Sequence, residues 1–70
     1  MNKTQSHVEG TLELDGGTIL EFIAKSFDKD NDDYVFHDLY FKLEYDPLGP
    51  FTVKASDIHG KWKWELIFRV

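Results

Sequence analysis

Asp28, Asp30 and Asp32 are the first residues whose type and spacing suggest chemistry. Carboxylates at alternate positions are how a calcium loop converges oxygens on its ion. The likeness fails further along the loop. Its sixth position, where such a loop needs Gly for a sharp turn, is Asp33, and its twelfth, where it needs a bidentate Glu, is Leu39. The run Asp28-Lys29-Asp30-Asn31-Asp32-Asp33 therefore reads as a solvated acidic loop rather than a metal site. His7, His37 and His59 are the other metal-ligating side chains, and nothing in their spacing brings them together. On the expected strand pattern His37 faces inward, in the role of a core or rim histidine bonded to a backbone carbonyl. The chain has no Cys, which excludes disulfides and thiolate metal sites.

Covalent catalysis finds little to work with. There is no Cys nucleophile, no Gly-x-Ser-x-Gly elbow and no phosphate-cradling glycine loop. Pairs of acids are abundant, but an acidic surface produces such pairs by chance. A chain of 70 residues also has little room for a water-excluding pocket. The expectation is a protein that is not an enzyme and carries no cofactor.

The charge is uneven, and that asymmetry is the main functional signal. The net charge is −5. Residues 1–46 hold eleven acids and four bases, whereas residues 47–70 hold two acids and four bases. The plainer reading is a solvated, soluble surface. The sharper one is an acidic face built from Glu9, Glu13, Asp28, Asp30, Asp32, Asp33 and Asp38. Carboxylates arrayed on a rigid sheet can imitate a run of phosphates and dock in the basic groove of a nucleic-acid-handling enzyme. Tyr34, Phe36 and Tyr40, read as outward-facing, would add aromatic contacts. The competing surface is basic: Lys54, Lys61, Lys63 and Arg69 on a last hairpin, suited to a single-stranded nucleic acid or a small ligand. A pI near 4.9 argues against direct nucleic-acid binding.

The elements that must position these residues are legible from alternation. In Lys61-Trp62-Lys63-Trp64-Glu65-Leu66-Ile67-Phe68-Arg69-Val70, the apolar residues Trp62, Trp64, Leu66, Phe68 and Val70 fall on every second position. That is a strand with one dry face, and the rest of the chain is expected to be organised around it. His7 to Leu14 alternates in the same way, with Val8, Gly10, Leu12 and Leu14 on one side. Gly10 within it marks a bulge or a close backbone approach. Asp15-Gly16-Gly17 is a hairpin signal.

Residues 18–27 fit two templates. As a strand they place Leu20, Phe22 and Ala24 on one face and Ile19, Ile23 and Phe27 on the other. As a helix they form one apolar stripe opened by a Thr18/Glu21 capping box. The turn before them favours the strand, whose two apolar faces then call for a cover, such as a second copy of the chain. Tyr34 to Tyr45 reads as a long strand with Val35, His37, Leu39, Phe41, Leu43 and Tyr45 on one face. Asp46-Pro47-Leu48-Gly49-Pro50 ends it, Phe51 to Ile58 forms a fourth strand, and His59-Gly60 turns into the last.

The expected fold is thus all-β: a small antiparallel meander or barrel-like sheet of about five strands, in a single domain over residues 1–70 with residues 1–6 a flexible lead-in. The alternative is α+β, with a helix at 18–27 packed on an antiparallel sheet. A domain this small buries only about 60% of its unfolded surface. Six Phe, three Tyr and two Trp must supply the core density that disulfides would otherwise provide. The polar N-terminal residues lack the apolar region of a signal peptide, and no apolar run approaches the ~18 residues that span a bilayer, so a cytoplasmic protein with no membrane partner is expected.

In its small size, acidity, lack of Cys, β-rich pattern and lack of a catalytic signature, the chain resembles the inhibitors that phages and mobile elements direct against host enzymes. The likeness lies in composition and size and assigns no residue. It implies a non-enzymatic inhibitor or adaptor that occupies another protein's surface. Nucleic-acid or small-ligand binding by the C-terminal strands and self-association as an assembly subunit are the alternative readings.

Overall fold

A computed structural model describes residues 5–69, with side chains described for residues 6–68. Residues 1–4 of the expected lead-in, the Arg69 side chain and Val70 lie outside that range, whereas Gln5 and Ser6, also expected in the lead-in, pair with the last strand as the start of the first. The fold is all-β and antiparallel. Its strands are β1 (Gln5–Leu14), β2 (Ile19–Ala24), β3 (Ser26–Asp30), β4 (Asp33–Lys42), β5 (Leu48–Lys54) and β6 (Gly60–Arg69), with a 3-10 turn at Ala55–Asp57. Residues 18–27, which also fit a helical stripe, supply β2 and the start of β3.

The β1–β2 hairpin follows directly from its turn residues. Gly17 takes φ 92°, a left-handed value that costs glycine nothing. Its N–H donates to the Leu14 carbonyl at 2.9 Å, and the Leu14 N–H donates to the Thr18 carbonyl at 2.7 Å. The resulting three-residue loop sets the register Leu12↔Leu20 and Gly10↔Phe22. Alternation then places Val8, Leu12, Phe22 and Ala24 in the core.

β2 and β3 are two halves of one bent strand. Both pair with the same side of β4, from Glu21↔Lys42 to Ile23↔Tyr40 and from Ser26↔His37 to Asp30↔Asp33. Between them the pleat breaks at Lys25 and, opposite it, at Asp38. Asp38 adopts φ 51°, a conformation that Asp tolerates better than most residues. The Lys25 N–H donates to the His37 carbonyl at 3.0 Å across this crease. One extra residue in a period-2 pattern exchanges the faces. Ala24 and Leu39 point inward on one side of the crease, and Phe27 and Phe36 point inward on the other.

The crease folds the β3–β4 hairpin over the inner face of β6. There Phe36 stacks on Trp62 with centroids 5.2 Å apart and planes at 24°. Phe27 and Tyr34 meet Trp64 at 4.6 and 4.9 Å. Phe22 approaches Trp62 edge-on at 5.2 Å. Each such pair is worth about 0.5–1.5 kcal/mol beyond its area burial. The final strand is therefore the seat of the aromatic core, although Leu66 and Phe68 beyond the Trp pair remain 39% and 64% exposed.

Several expected details change. Phe36 is fully buried and Tyr34 packs against the core, so neither faces outward; the crease at Asp38 inverts that half of β4. The same inversion turns His37 outward. The apolar second face of residues 18–27 needs no second copy at Phe27, because the break at Lys25 turns that ring into the core. The expected fourth strand, Phe51 to Ile58, instead runs from Leu48 to Lys54 and includes Pro50. Among the described strands β5 pairs only with β4, so Pro50 lies on an edge where a missing N–H breaks no ladder.

After β5 the 3-10 turn carries the chain to β6, which pairs with β1 over ten residues from Gln5↔Arg69 to Leu14↔Gly60. β5 and β6 form no hairpin. The sheet is a curled half-barrel. Gly10 marks a close backbone approach, as expected. A Cβ there would lie 2.0 Å from the Lys63 carbonyl oxygen and 2.7 Å from the Trp64 Cα.

Candidate functional site

The crease divides the expected acidic face. Glu9 and Glu13 occupy the outer face of β1. Opposite them on β6 are Glu65 and Lys61, with Lys63 opposite Thr11 between them. On β2, Glu21 sits opposite Thr11 and is followed by Lys42 on β4. This face carries both signs. Asp28, Asp30 and Asp32 belong instead to the β3–β4 hairpin, where all three are exposed. The hairpin turns through Asn31 at φ 56°. Asp28 and Asp30 share one side of a flat strand, unlike ligands wrapped around an ion. Among the described residues no group of three or more His, Asp or Glu side chains is placed to hold a metal ion.

Two members of the acidic set have local partners. The Asp28 carboxylate meets His37 Nε2 at 2.8 Å, so His37 bonds a carboxylate rather than a backbone carbonyl. Asp33 accepts hydrogen bonds from Ser56 Oγ at 2.5 Å, from the Tyr34 N–H at 2.8 Å and from the Ser56 N–H at 3.2 Å. The Ser56 hydroxyl, these backbone donors and nearby Lys54 favour the ionised form. Led by the Ser56 hydroxyl, they hold the Asp33 carboxyl below its usual range against the opposing effect of desolvation. Asp33 is a structural tie between the β3–β4 hairpin and the 3-10 turn. Trp62 Nε1 donates to the Ala55 carbonyl at 2.9 Å, fixing the same turn from the other side.

The expected aromatic contact reduces to Tyr40. Together with His7, Ile23, Ala24, Lys25 and Asp38 it lines an open groove of about 360 Å³ at the outer side of the crease. Its floor is apolar, and its rim carries an imidazole, an ammonium and a carboxylate. His7 Nε2 is turned to Glu9, 2.5 Å away.

The expected basic face is divided too. Lys61 and Lys63 lie on the outer face of β6 against Glu13 and Thr11, whereas Lys54 pairs with Val35 on the other edge strand. Arg69 pairs with Gln5 through the backbone. Among the described side chains, Lys54 stands apart from Lys61 and Lys63.

One surface escaped the sequence reading. The β2–β4 ladder ends at Glu21↔Lys42, and the chain leaves the sheet over residues 43–47 before Leu48 re-enters it opposite Phe41. Leu43, Tyr45 and Leu48 are 47%, 89% and 50% exposed along this stretch. Glu44 and Asp46 between them are exposed as well. Period-2 reasoning had assigned Leu43 and Tyr45 to a dry strand face. The strand ends first, at Lys42, and leaves them in solvent. The nearby Asp-Pro and Gly-Pro pairs were the available signal that the chain leaves the sheet here.

No protein-family model matches this chain, and no curated protein or solved structure matches it. Among the described residues no helix is long and apolar enough to cross a membrane.

Proposed function

We propose that this protein is a non-enzymatic protein-binding module, a small acidic inhibitor or adaptor whose effect comes from occupying a partner's surface. The observation that carries this reading is the run of exposed apolar side chains between β4 and β5, Leu43, Tyr45 and Leu48, with Tyr45 89% exposed. Large apolar side chains gathered at one site and rimmed by polar residues are the usual form of a protein contact. Tyr is favoured at the centre of such contacts because it buries a large rigid area and keeps a polar end. The carboxylates of Glu44 and Asp46 select a partner whose apolar pocket has a basic rim. Such a rim occurs on enzymes that handle nucleic acid, and the net charge of −5 would speed approach to it.

The test is a comparative capture from lysate with the wild type and two variants, Tyr45→Ala and Leu48→Asp. One stoichiometric partner held by the wild type and lost from both variants supports the proposal. Equal capture by all three proteins, or none by any, rules against this surface.

A further inference from the structure

We infer that β6 is the interface of a symmetric homodimer, in which it pairs antiparallel with β6 of a second copy about a twofold axis at Trp64. The inference rests on the free edge of the sheet and is independent of the β4–β5 surface. β6 is ten residues long and pairs only with β1 among the described strands. Its ladder to β1 is regular throughout, without a bulge or proline. An edge of that kind presents a row of unpaired backbone groups, which proteins normally blunt or pair. The other edges are guarded: β3 is only five residues long and carries Asp28, Lys29 and Asp30, and β5 contains Pro50 and meets β4 with register shifts.

The occupant follows from β6's own sequence. Pairing must keep inner faces together, so the axis has to pass through a residue and not between two. An axis at Lys63 sets that lysine against itself. One at Glu65 opposes Glu65 to itself and Lys61 to Arg69, and one at Leu66 opposes Lys63 to Arg69. An axis at Ile67 is free of such conflict but overlaps only the last few residues. The axis at Trp64 uses the strand from Gly60 to Phe68. It sets Lys63 against Glu65 of the second copy, twice by symmetry, with no like charges opposed.

On the inner face the same register places Leu66 beside Trp62 of the second copy. It also places Phe68 over Gly60, where no side chain competes for the space. Leu66 and Phe68 are the two inner-face residues of β6 that the β3–β4 hairpin leaves uncovered, at 39% and 64% exposure. The interface is isologous and closes on itself, so it ends at two copies.

Sedimentation equilibrium tests this with the wild type, Lys63→Glu, Glu65→Lys and the double exchange. The wild type should reach twice the 8.2 kDa of one chain at the concentrations used for NMR. Each single exchange opposes like charges twice and should raise the dissociation constant about tenfold or more. The double exchange should recover dimerisation, and an equimolar mixture of the two single variants should form heterodimers. Both positions are exposed on the outer face, so circular dichroism should show all variants folded. A wild type that stays monomeric overturns the inference. So do single variants that dimerise as the wild type does, or a double exchange that fails to recover.

Discussion

The carboxylate of Asp33 accepts a hydrogen bond from the Ser56 hydroxyl at 2.5 Å, joining the first residue of β4 to the 3-10 turn that leads into β6. The two residues are 23 positions apart. The contact stitches the folded-over hairpin to the turn held on its other side by Trp62.

That contact carries a pH dependence with a definite sign. The folded-state pKa of Asp33 lies below its ordinary value of 3.8, chiefly through Ser56. A depressed carboxyl pKa contributes stability above the unfolded-state value, and the contribution is lost as pH falls through the folded-state value. Wild-type protein should therefore melt above Asp33→Asn at neutral pH. The gap should narrow as the pH drops below about 4, where the unfolded-state carboxyl protonates. Melting followed by circular dichroism against pH checks this, and a gap that is independent of pH would contradict it.

Gly10, the one glycine of β1, should be hard to replace. A methyl at that position meets the Lys63 carbonyl oxygen at 2.0 Å, which is backbone and has no rotamer to yield. Gly10→Ala should cost about 1–3 kcal/mol, the range of an overpacked site. In a domain of this size each kcal/mol lowers the melting temperature by roughly 4–8 °C. Gly16→Ala is the control, since nothing lies within 4 Å of its added carbon. It should stay within about 0.5 kcal/mol of the wild type in urea unfolding.

Phe36 and Tyr45 test where the faces of the chain lie. Simple alternation from Tyr34 to Tyr45 puts Tyr45 on the dry face and Phe36 on the wet one, whereas the fold buries Phe36 completely and leaves Tyr45 89% exposed. Phe36→Ala removes a ring stacked on Trp62 and should cost about 3–5 kcal/mol. A small domain retains little stability after such a loss. Tyr45→Ala should change stability by less than about 0.5 kcal/mol. Chemical denaturation of the two variants separates these outcomes widely.

The contrast shows what the sequence could reveal. β1, β6 and the Asp15-Gly16-Gly17 turn were legible because each is a local pattern: strict alternation, or residues that accept a left-handed φ. The crease was illegible because it consists of one extra residue in each of two paired strands, at Lys25 and Asp38, and neither disturbs composition. Its trace was present in another form. Residues 18–27 and 34–45 are apolar on both faces. That pattern is the mark of a strand that changes face part-way, as much as of one that needs an outside cover. Phe36 and Leu39, both buried and three positions apart, record the shift. The division of the acidic and basic sets follows from the same crease and from the pairing of β6 with β1, a contact between the two ends of the chain that no local pattern encodes. The exposed end at Tyr45 was hidden by extending β4 beyond Lys42.

The acidic hairpin should govern the speed of partner encounter, whichever surface completes the contact. Asp28, Asp30 and Asp32 are exposed on a two-stranded projection, whereas Asp33 in the same run is held by Ser56 and belongs outside the test. Exposed charges far from an apolar contact act mainly on the association rate, and their effect fades with salt because the Debye length falls to about 8 Å at physiological ionic strength. Asp28→Asn, Asp30→Asn and Asp32→Asn combined should slow association with a basic partner several-fold at low salt. The dissociation rate should stay nearly unchanged, and the salt dependence of association should flatten. Tyr45→Ala should do the reverse, accelerating dissociation with little effect on association, because removal of a buried anchor is felt chiefly after docking. Stopped-flow or surface-based kinetics across a salt series reads both effects at once. If the triple variant associates as fast as the wild type at every salt concentration, the hairpin has no steering role. If Tyr45→Ala dissociates at the wild-type rate, the contact lies elsewhere on the molecule.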